Sequence, residues 1–176
     1  MIASINLDTG ECKLVSVYRD TYLNLSNDTY NKCNAAYMKG GPEMAINMLN
    51  MNLDMNITDF ITVGFAGLAD TIDALGGVMI DVDEAEINHL NSYQFTMAED
   101  LKRPYKEVTS TGYQQLTGLQ ATAYCRIRYT AGDDFKRTER QREVLMAMAD
   151  KAKTASYFQK HTFEKYTISN KDSYRS

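Results

Sequence analysis

Residues 60–82 read Phe60-Ile61-Thr62-Val63-Gly64-Phe65-Ala66-Gly67-Leu68-Ala69-Asp70-Thr71-Ile72-Asp73-Ala74-Leu75-Gly76-Gly77-Val78-Met79-Ile80-Asp81-Val82, and this stretch decides the fold class. The β-branched run Phe60 to Val63 predicts a strand, Phe65 to Leu75 a helix stopped by Gly76-Gly77, and Val78 to Val82 a second strand. A β-α-β order of this kind belongs to mixed α/β folds.

Working outward, Ile2 to Asn6 and Lys13 to Arg19 read as two strands around the turn residues Asp8-Thr9-Gly10-Glu11, which predicts an opening β-hairpin. Alternation along the second strand sets Arg19 at its end, on the side of Val15 and Val17. A helix over Lys32 to Lys39 stops at Gly40-Gly41-Pro42, and a second helix follows with Met44, Met48, Met51, Ala45 and Leu49 as its core stripe. Residues 83–112 give only weak signals and read as loops with a short helix. Asp134 to about Ala155 predicts a long helix with acids at its start, an apolar stripe of Val144, Leu145, Met148, Ala149 and Ala152, and lysines late. Residues 154–176 form a polar, basic tail with a possible strand near Tyr166-Thr167-Ile168.

With 176 residues, 44% of them hydrophobic, the chain suits one globular core. Its formal charge of −4 argues against a surface built mainly for nucleic acid. No run approaches the length of a membrane helix, and the first residues are no signal peptide, so the chain as given is expected to be soluble. A chain that opens directly on a strand reads as the middle of a longer protein. Three cysteines and two histidines have no zinc-ligand spacing. A Cys33–Cys125 disulfide and free, core-filling thiols are the two readings of the cysteines.

Positive charge gathers in Arg126-Ile127-Arg128 and in Lys136-Arg137-Thr138-Glu139-Arg140-Gln141-Arg142. In an extended backbone Arg126 and Arg128 leave on one face and could grip a single anion. Stepping by fours from Leu145 reaches Gln141 and Arg137, which places both on the inward face of the last helix, where an arginine needs an anionic or carbonyl partner. The bland alternative pairs Arg137 with Asp133, Asp134 or a distant Glu, leaves Arg140 and Arg142 solvated and makes Arg126 structural. Arg19, Arg126, Arg128 and Arg137 together favour a site for a planar, bidentate phosphate contact. Asp20, Asp133 and Asp134 are the nearby acids that magnesium would want, against turn and helix-start roles. No nucleotide, zinc-protease or serine-hydrolase motif is present.

Several segments resemble the LytR-CpsA-Psr (LCP) family. Ser16-Val17-Tyr18-Arg19-Asp20-Thr21 resembles its strand-end motif, with Tyr18 where proline is usual. Lys32-Cys33-Asn34-Ala35-Ala36-Tyr37 before Gly40-Gly41, and Asp73-Ala74-Leu75-Gly76-Gly77-Val78, resemble two more. Leu116-Thr117-Gly118-Leu119-Gln120-Ala121 with Arg126-Ile127-Arg128, and Asp134-Phe135-Lys136-Arg137-Thr138-Glu139-Arg140-Gln141, match two further motifs of the family in order and spacing. The resemblance runs from Met1 to about Lys153, which would make residues 1–153 an LCP-like catalytic domain without its N-terminal motifs and 154–176 a tail.

The resemblance implies a three-layer α/β/α sandwich around a central mixed sheet, with an apolar tunnel for a polyprenyl chain. It implies a phosphotransferase that moves an anionic glycopolymer from a polyprenyl-pyrophosphate carrier to peptidoglycan, outside the bacterial cytoplasmic membrane and anchored by an N-terminal helix. Arg19, Arg126 and Arg128 would be catalytic; with Arg137 and Gln141 they would hold the pyrophosphate. Asp20, Lys32, Asn34, Asp134 and Arg140 would stand behind them. Mg2+ is the expected cofactor, its ligands lying upstream of Met1. The alternatives are a non-catalytic module for an anionic lipid head group and a nucleic-acid regulator built on residues 126–142.

Overall fold

A computed structural model of the chain describes residues 1–6, 8–128 and 135–154, together with the backbone of 133–134. The chain divides into two compact units, one of Met1–Ser4 with Lys13–Thr62 and one of Ile5–Cys12 with the chain from Val63 onward.

The first unit holds β1 (Ile2–Ile5) except Ile5, β2 (Cys12–Val15) except Cys12, and β3 (Tyr22–Asn24), β4 (Tyr30–Lys32) and α1 (Asn34–Leu53). β1 pairs with β2, and β3 pairs antiparallel with β4, Leu23 opposite Asn31. The turn after β1 is closed by the Asn6 side chain, which accepts from the amides of Asp8 and Thr9. The second strand ends at Val15, so Arg19 sits in a turn instead of at a strand end. α1 contains the two predicted helices, joined across non-helical Gly40 and Gly41, whose φ of +65° at Gly41 suits a residue without Cβ. Leu25, Cys33, Ala36 and Met48 form the small core. Met44 packs against it, whereas Met51, in the last turn of α1, is exposed because the helix outruns that core.

The second unit runs α2 (Phe65–Ala74), β5 (Val78–Val82), α3 (Glu84–Leu101), β6 (Gly112–Leu116), α4 (Gly118–Tyr124) and α5 (Asp133–Thr154). β5 alternates buried Val78, Ile80 and Val82 with exposed Met79 and Asp81, and pairs antiparallel with β6 from Val78↔Leu116 to Val82↔Gly112. Ile72, Leu75, Leu90, Leu116, Tyr124, Ile127 and Val144 complete the main core around it. Among the described residues no helix is long and apolar enough to cross a membrane.

Two expectations are corrected here. Phe60 to Val63 makes no strand: it has β propensity but no ladder partner among the described strands, and pairing is what makes extended backbone a sheet. Residues 84–101, part of a stretch read as loops with a short helix, form one 18-residue helix. Its buried stripe, Glu86, Leu90, Gln94, Met97 and Ala98, includes two polar members, which hid the 3.6-residue hydrophobic period. The start was nevertheless written in Asp83-Glu84-Ala85-Glu86, where the Glu86 carboxylate accepts from the Asp83 amide at 3.0 Å.

α4 is buried at all seven positions and begins on a reciprocal cap: Thr117 Oγ1 accepts from Gln120 N, and Gln120 Oε1 accepts from Thr117 N at 2.9 Å. Its first residue, Gly118, donates to Asp73 Oδ1 at 2.6 Å, and a Cβ there would overlap the Ala69 carbonyl of α2. Gly67, by contrast, has room for a methyl group in the interior of α2. Gly118→Ala is therefore expected to cost about 3 kcal/mol in urea unfolding, while Gly67→Ala, a gain in helix propensity, leaves stability equal or higher.

Candidate functional site

In the first unit the Arg19 turn is held by its backbone. The Arg19 carbonyl accepts from Asn34 N at 3.3 Å and lies 3.4 Å from the Cys33 thiol, which donates to the Tyr18 carbonyl at 3.0 Å. The Cys33 amide donates to the Thr21 carbonyl at 2.8 Å. The start of α1 thus fixes the turn while leaving the Arg19 side chain half exposed, at 52%. Asp20 joins Lys32 at 3.0 Å and stands 3.7 Å from Arg19 Nε. The Lys32 ammonium holds the Asp20 carboxyl below its ordinary value.

In the second unit Arg126 follows the end of α4. It is not in a strand: Arg126 is half-buried, Ile127 is fully buried and Arg128 is exposed. The Arg126 guanidinium carbon lies 4.6 Å from the centroid of Phe65 at the start of α2 and 5.1 Å from that of Tyr93 on α3. Two ring faces steady the charge, and a guanidinium held over rings keeps its in-plane N–H groups for an anion.

α5 braces this turn. Gln141 Nε2 reaches the Cys125 carbonyl at 3.5 Å, and Arg140 Nη1 donates to the Ile127 carbonyl at 3.3 Å, so two consecutive residues of one helix hold the carbonyls on either side of Arg126. Arg140, taken as solvated or second rank from sequence, is the buried arginine of α5, 3% exposed. Its Nε meets Glu86 Oε1 at 2.7 Å, and its guanidinium lies 5.8 Å from the Tyr124 ring. Glu86, on the helix that sequence reading missed, is the partner that could not be named; the Asp-x-x-Glu cap was its available signal. The buried stripe of α5 is Arg140, Val144 and Met148, one residue round from the predicted 137–141–145 line. Arg137 and Gln141 are half-buried beside it, with the Nε of Arg137 shielded from solvent.

The polar hollow beside Arg140 is lined by Asp81, Glu86, Glu139 and Glu143 along with Lys136. Carboxylates there repel an anion, and Arg140, engaged by Glu86 and the Ile127 carbonyl, braces the turn after α4. Tyr124 donates to Glu143 Oε2 at 2.9 Å, and burial with the adjacent glutamates pushes its phenol well above the usual range. Asp133 and Asp134 fall in the first turn of α5, and their side chains lie outside the described residues. No three His, Cys, Asp or Glu side chains gather to hold a metal among the described residues, and Asp20 is engaged by Lys32. These residues alone do not fit a magnesium site. All three cysteines are free thiols, so the Cys33–Cys125 bridge is not formed.

Matching the chain to family models finds the LytR_cpsA_psr family over residues 1–167. The chain belongs to that family. Among relatives of this LCP chain, the polyisoprenyl-teichoic acid–peptidoglycan teichoic acid transferase TagV of Bacillus subtilis strain 168 is 32% identical over 160 residues, 89% of this chain and 39% of TagV. A crystal structure from Enterococcus faecalis described as a transcriptional regulator superposes with a TM-score of 0.74 at 28% identity, covering 96% of this chain and 57% of that one. The LytR-CPS2A-psr family protein YwtF (TagT), with bound octaprenyl pyrophosphate lipid, superposes at 0.67 with 26% identity, covering 96% and 66%. These likenesses bear out the α/β LCP fold. The LCP chain spans about two fifths of TagV's length.

Glu86→Ala leaves Arg140 buried and uncompensated and should cost about 3–5 kcal/mol in chemical unfolding, whereas Glu86→Leu with Arg140→Met should cost far less. Burial, with Glu143 adding to it, pushes the Cys125 thiol up to about 12 from an ordinary 9.0. The folded thiol keeps its proton where the unfolded one ionises, so this group's contribution to stability falls as pH rises across that window. At pH 8 the shift lowers the thiolate fraction about a thousand-fold. Thiol labelling with mass mapping should find Cys125 modified only after unfolding.

Proposed function

We propose that this chain carries the diphosphate grip of a transferase that moves an anionic glycopolymer from a polyprenyl-diphosphate carrier to a peptidoglycan hydroxyl on the outer face of the bacterial cytoplasmic membrane. The observation that carries the reading is Arg126, set over Phe65 and Tyr93 and braced through both neighbouring carbonyls by α5. A permanently charged, planar donor aligned before the ligand arrives stabilises charge that develops on a leaving phosphate. YwtF (TagT), whose structure holds octaprenyl pyrophosphate, and the transferase TagV support the same ligand class.

In the proposed step the acceptor oxygen forms a bond to the phosphorus bearing the glycopolymer. The bond from that phosphorus to the carrier phosphate oxygen breaks, polyprenyl phosphate leaves, and the hydroxyl proton is released. Arg126 and Arg128 would face the diphosphate from the turn after α4, with Gln141 and Arg137 on α5. Magnesium is part of the proposal only as a partner whose carboxylates this chain does not assemble among its described residues, and no step is assigned to it. The regulator description of the E. faecalis structure keeps nucleic acid as a second reading. The ion-paired Arg140 and Lys136 and the net charge of −4 oppose it.

Isothermal calorimetry with a short-chain polyprenyl diphosphate in magnesium buffer tests the grip. Arg126→Ala with Arg128→Ala should weaken binding about a hundred-fold, and Arg126→Lys, which keeps charge but not the planar fork, should fall between. Equal binding by all three proteins would overturn the assignment. A DNA affinity that falls steeply with salt would support the nucleic-acid reading instead.

A further inference from the structure

Of the Phe65 and Tyr93 rings against Arg126, only Tyr93 carries a polar atom, and sequence reading did not single it out. It lies on α3, which is fixed on both sides of this residue. Asn91, two positions earlier, clasps the Val108 backbone, accepting from its amide at 2.9 Å and donating to its carbonyl at 2.8 Å. Leu90 and Met97, before and after Tyr93 on the same helix, are buried. The half-buried Tyr93 ring packs against the main core and also against the cluster of Met97, Ala98, Leu119 and Ala123. The Arg126 guanidinium carbon stands 5.1 Å from the centroid of that ring. Among the described residues the Tyr93 hydroxyl makes no hydrogen bond, and its oxygen is not shut away from solvent. The Arg126 guanidinium likewise meets no hydrogen-bond or ion-pair partner among them.

A phenylalanine at this position would support the guanidinium as Phe65 does, so the hydroxyl adds nothing to the ring contact itself. We infer that the Tyr93 hydroxyl is a second donor to the anion that Arg126 grips, donating to a phosphate oxygen of the diphosphate. This rests on the proposed diphosphate reading, to which it adds a binding residue. The two donors complement each other. The guanidinium supplies permanent charge and a fork of N–H groups, and the hydroxyl supplies one further donor whose place is set by a packed ring. A ring held by two clusters has few rotamers left to lose, which lowers the ordering cost of binding. A charged acceptor also makes the hydroxyl's hydrogen bond stronger than one between neutral groups. The number of acceptors matters as well. A carboxylate has two oxygens, which the guanidinium fork alone occupies, whereas a diphosphate has oxygens to spare for a neighbouring hydroxyl.

Isothermal calorimetry with farnesyl diphosphate on the full chain tests the donor. Tyr93→Phe keeps the ring against Arg126 and removes only the hydroxyl. It should weaken binding about ten-fold and leave the urea midpoint unchanged. Tyr93→Leu, which removes the ring too, should weaken binding further. On adding the probe, the near-ultraviolet absorbance of wild type should gain a tyrosine red shift that Tyr93→Phe lacks, a signal that a merely structural ring does not give. Binding by Tyr93→Phe equal to that of wild type would overturn the donor while the Arg126 grip stands. A loss that comes with a lowered urea midpoint, and with no red shift in wild type, would assign the hydroxyl to the fold and overturn the donor as well. If wild type does not bind farnesyl diphosphate, the diphosphate reading falls and the donor falls with it.

Discussion

The second unit depends on one buried contact, the Arg140–Glu86 ion pair. Two charges taken from water into a packed interior must be matched closely, because desolvation is of the same order as their attraction. Here Glu86 accepts from Arg140 with one oxygen and from the Asp83 amide with the other, while Arg140 spends its second arm on the Ile127 carbonyl. Each group is thereby satisfied by a different element. The start of α3, the middle of α5 and the turn after α4 are pinned to one another at a single point, and displacing any of them strands a charge.

That pin explains how one turn can present arginines of opposite character. Ile127 is buried in the main core and its carbonyl is held by Arg140, and the residues on either side differ in setting, Arg126 half-buried against Phe65 and Tyr93 and Arg128 exposed. An arginine that is half-buried over rings is prealigned and pays little further entropy on meeting an anion. An exposed one adds mainly long-range field, which salt screens. In the proposed site the exposed arginine would attract an anion from a distance and the aligned one would orient it.

The amphipathic and punctuated segments were legible in the sequence. Gly40-Gly41-Pro42 marked the break inside α1, Gly76-Gly77 the end of α2, and the alternation in Val78–Val82 the strand β5. Elements whose stability comes from partners were not. Phe60 to Val63 has strand composition without a ladder, and α3 buries Glu86 and Gln94 where the helix period calls for apolar side chains. The motif residues Arg126, Arg128, Arg137 and Gln141 could be singled out, but the two-residue spacing of Arg126 and Arg128 suggested a shared face only because extended backbone was assumed. The environment of Arg126 is set by Phe65 and Tyr93, and that of Arg140 by Glu86, side chains far away in sequence whose proximity no local pattern encodes.

The identity of residue 140 carries a last argument. A methionine or leucine at this place in the stripe would join Val144 and Met148 without desolvating a charge, and replacing buried ion pairs with apolar groups is often neutral or stabilising. Stability alone therefore gives no reason for an arginine here. What an apolar side chain cannot do is donate to the Ile127 carbonyl and fix the direction in which Arg126 and Arg128 leave the chain. Replacing the pair would leave a helix of similar packing and a turn free to re-aim its guanidinium groups. The arginine is thus accounted for by the fixing of the turn after α4 more than by the energy of the fold.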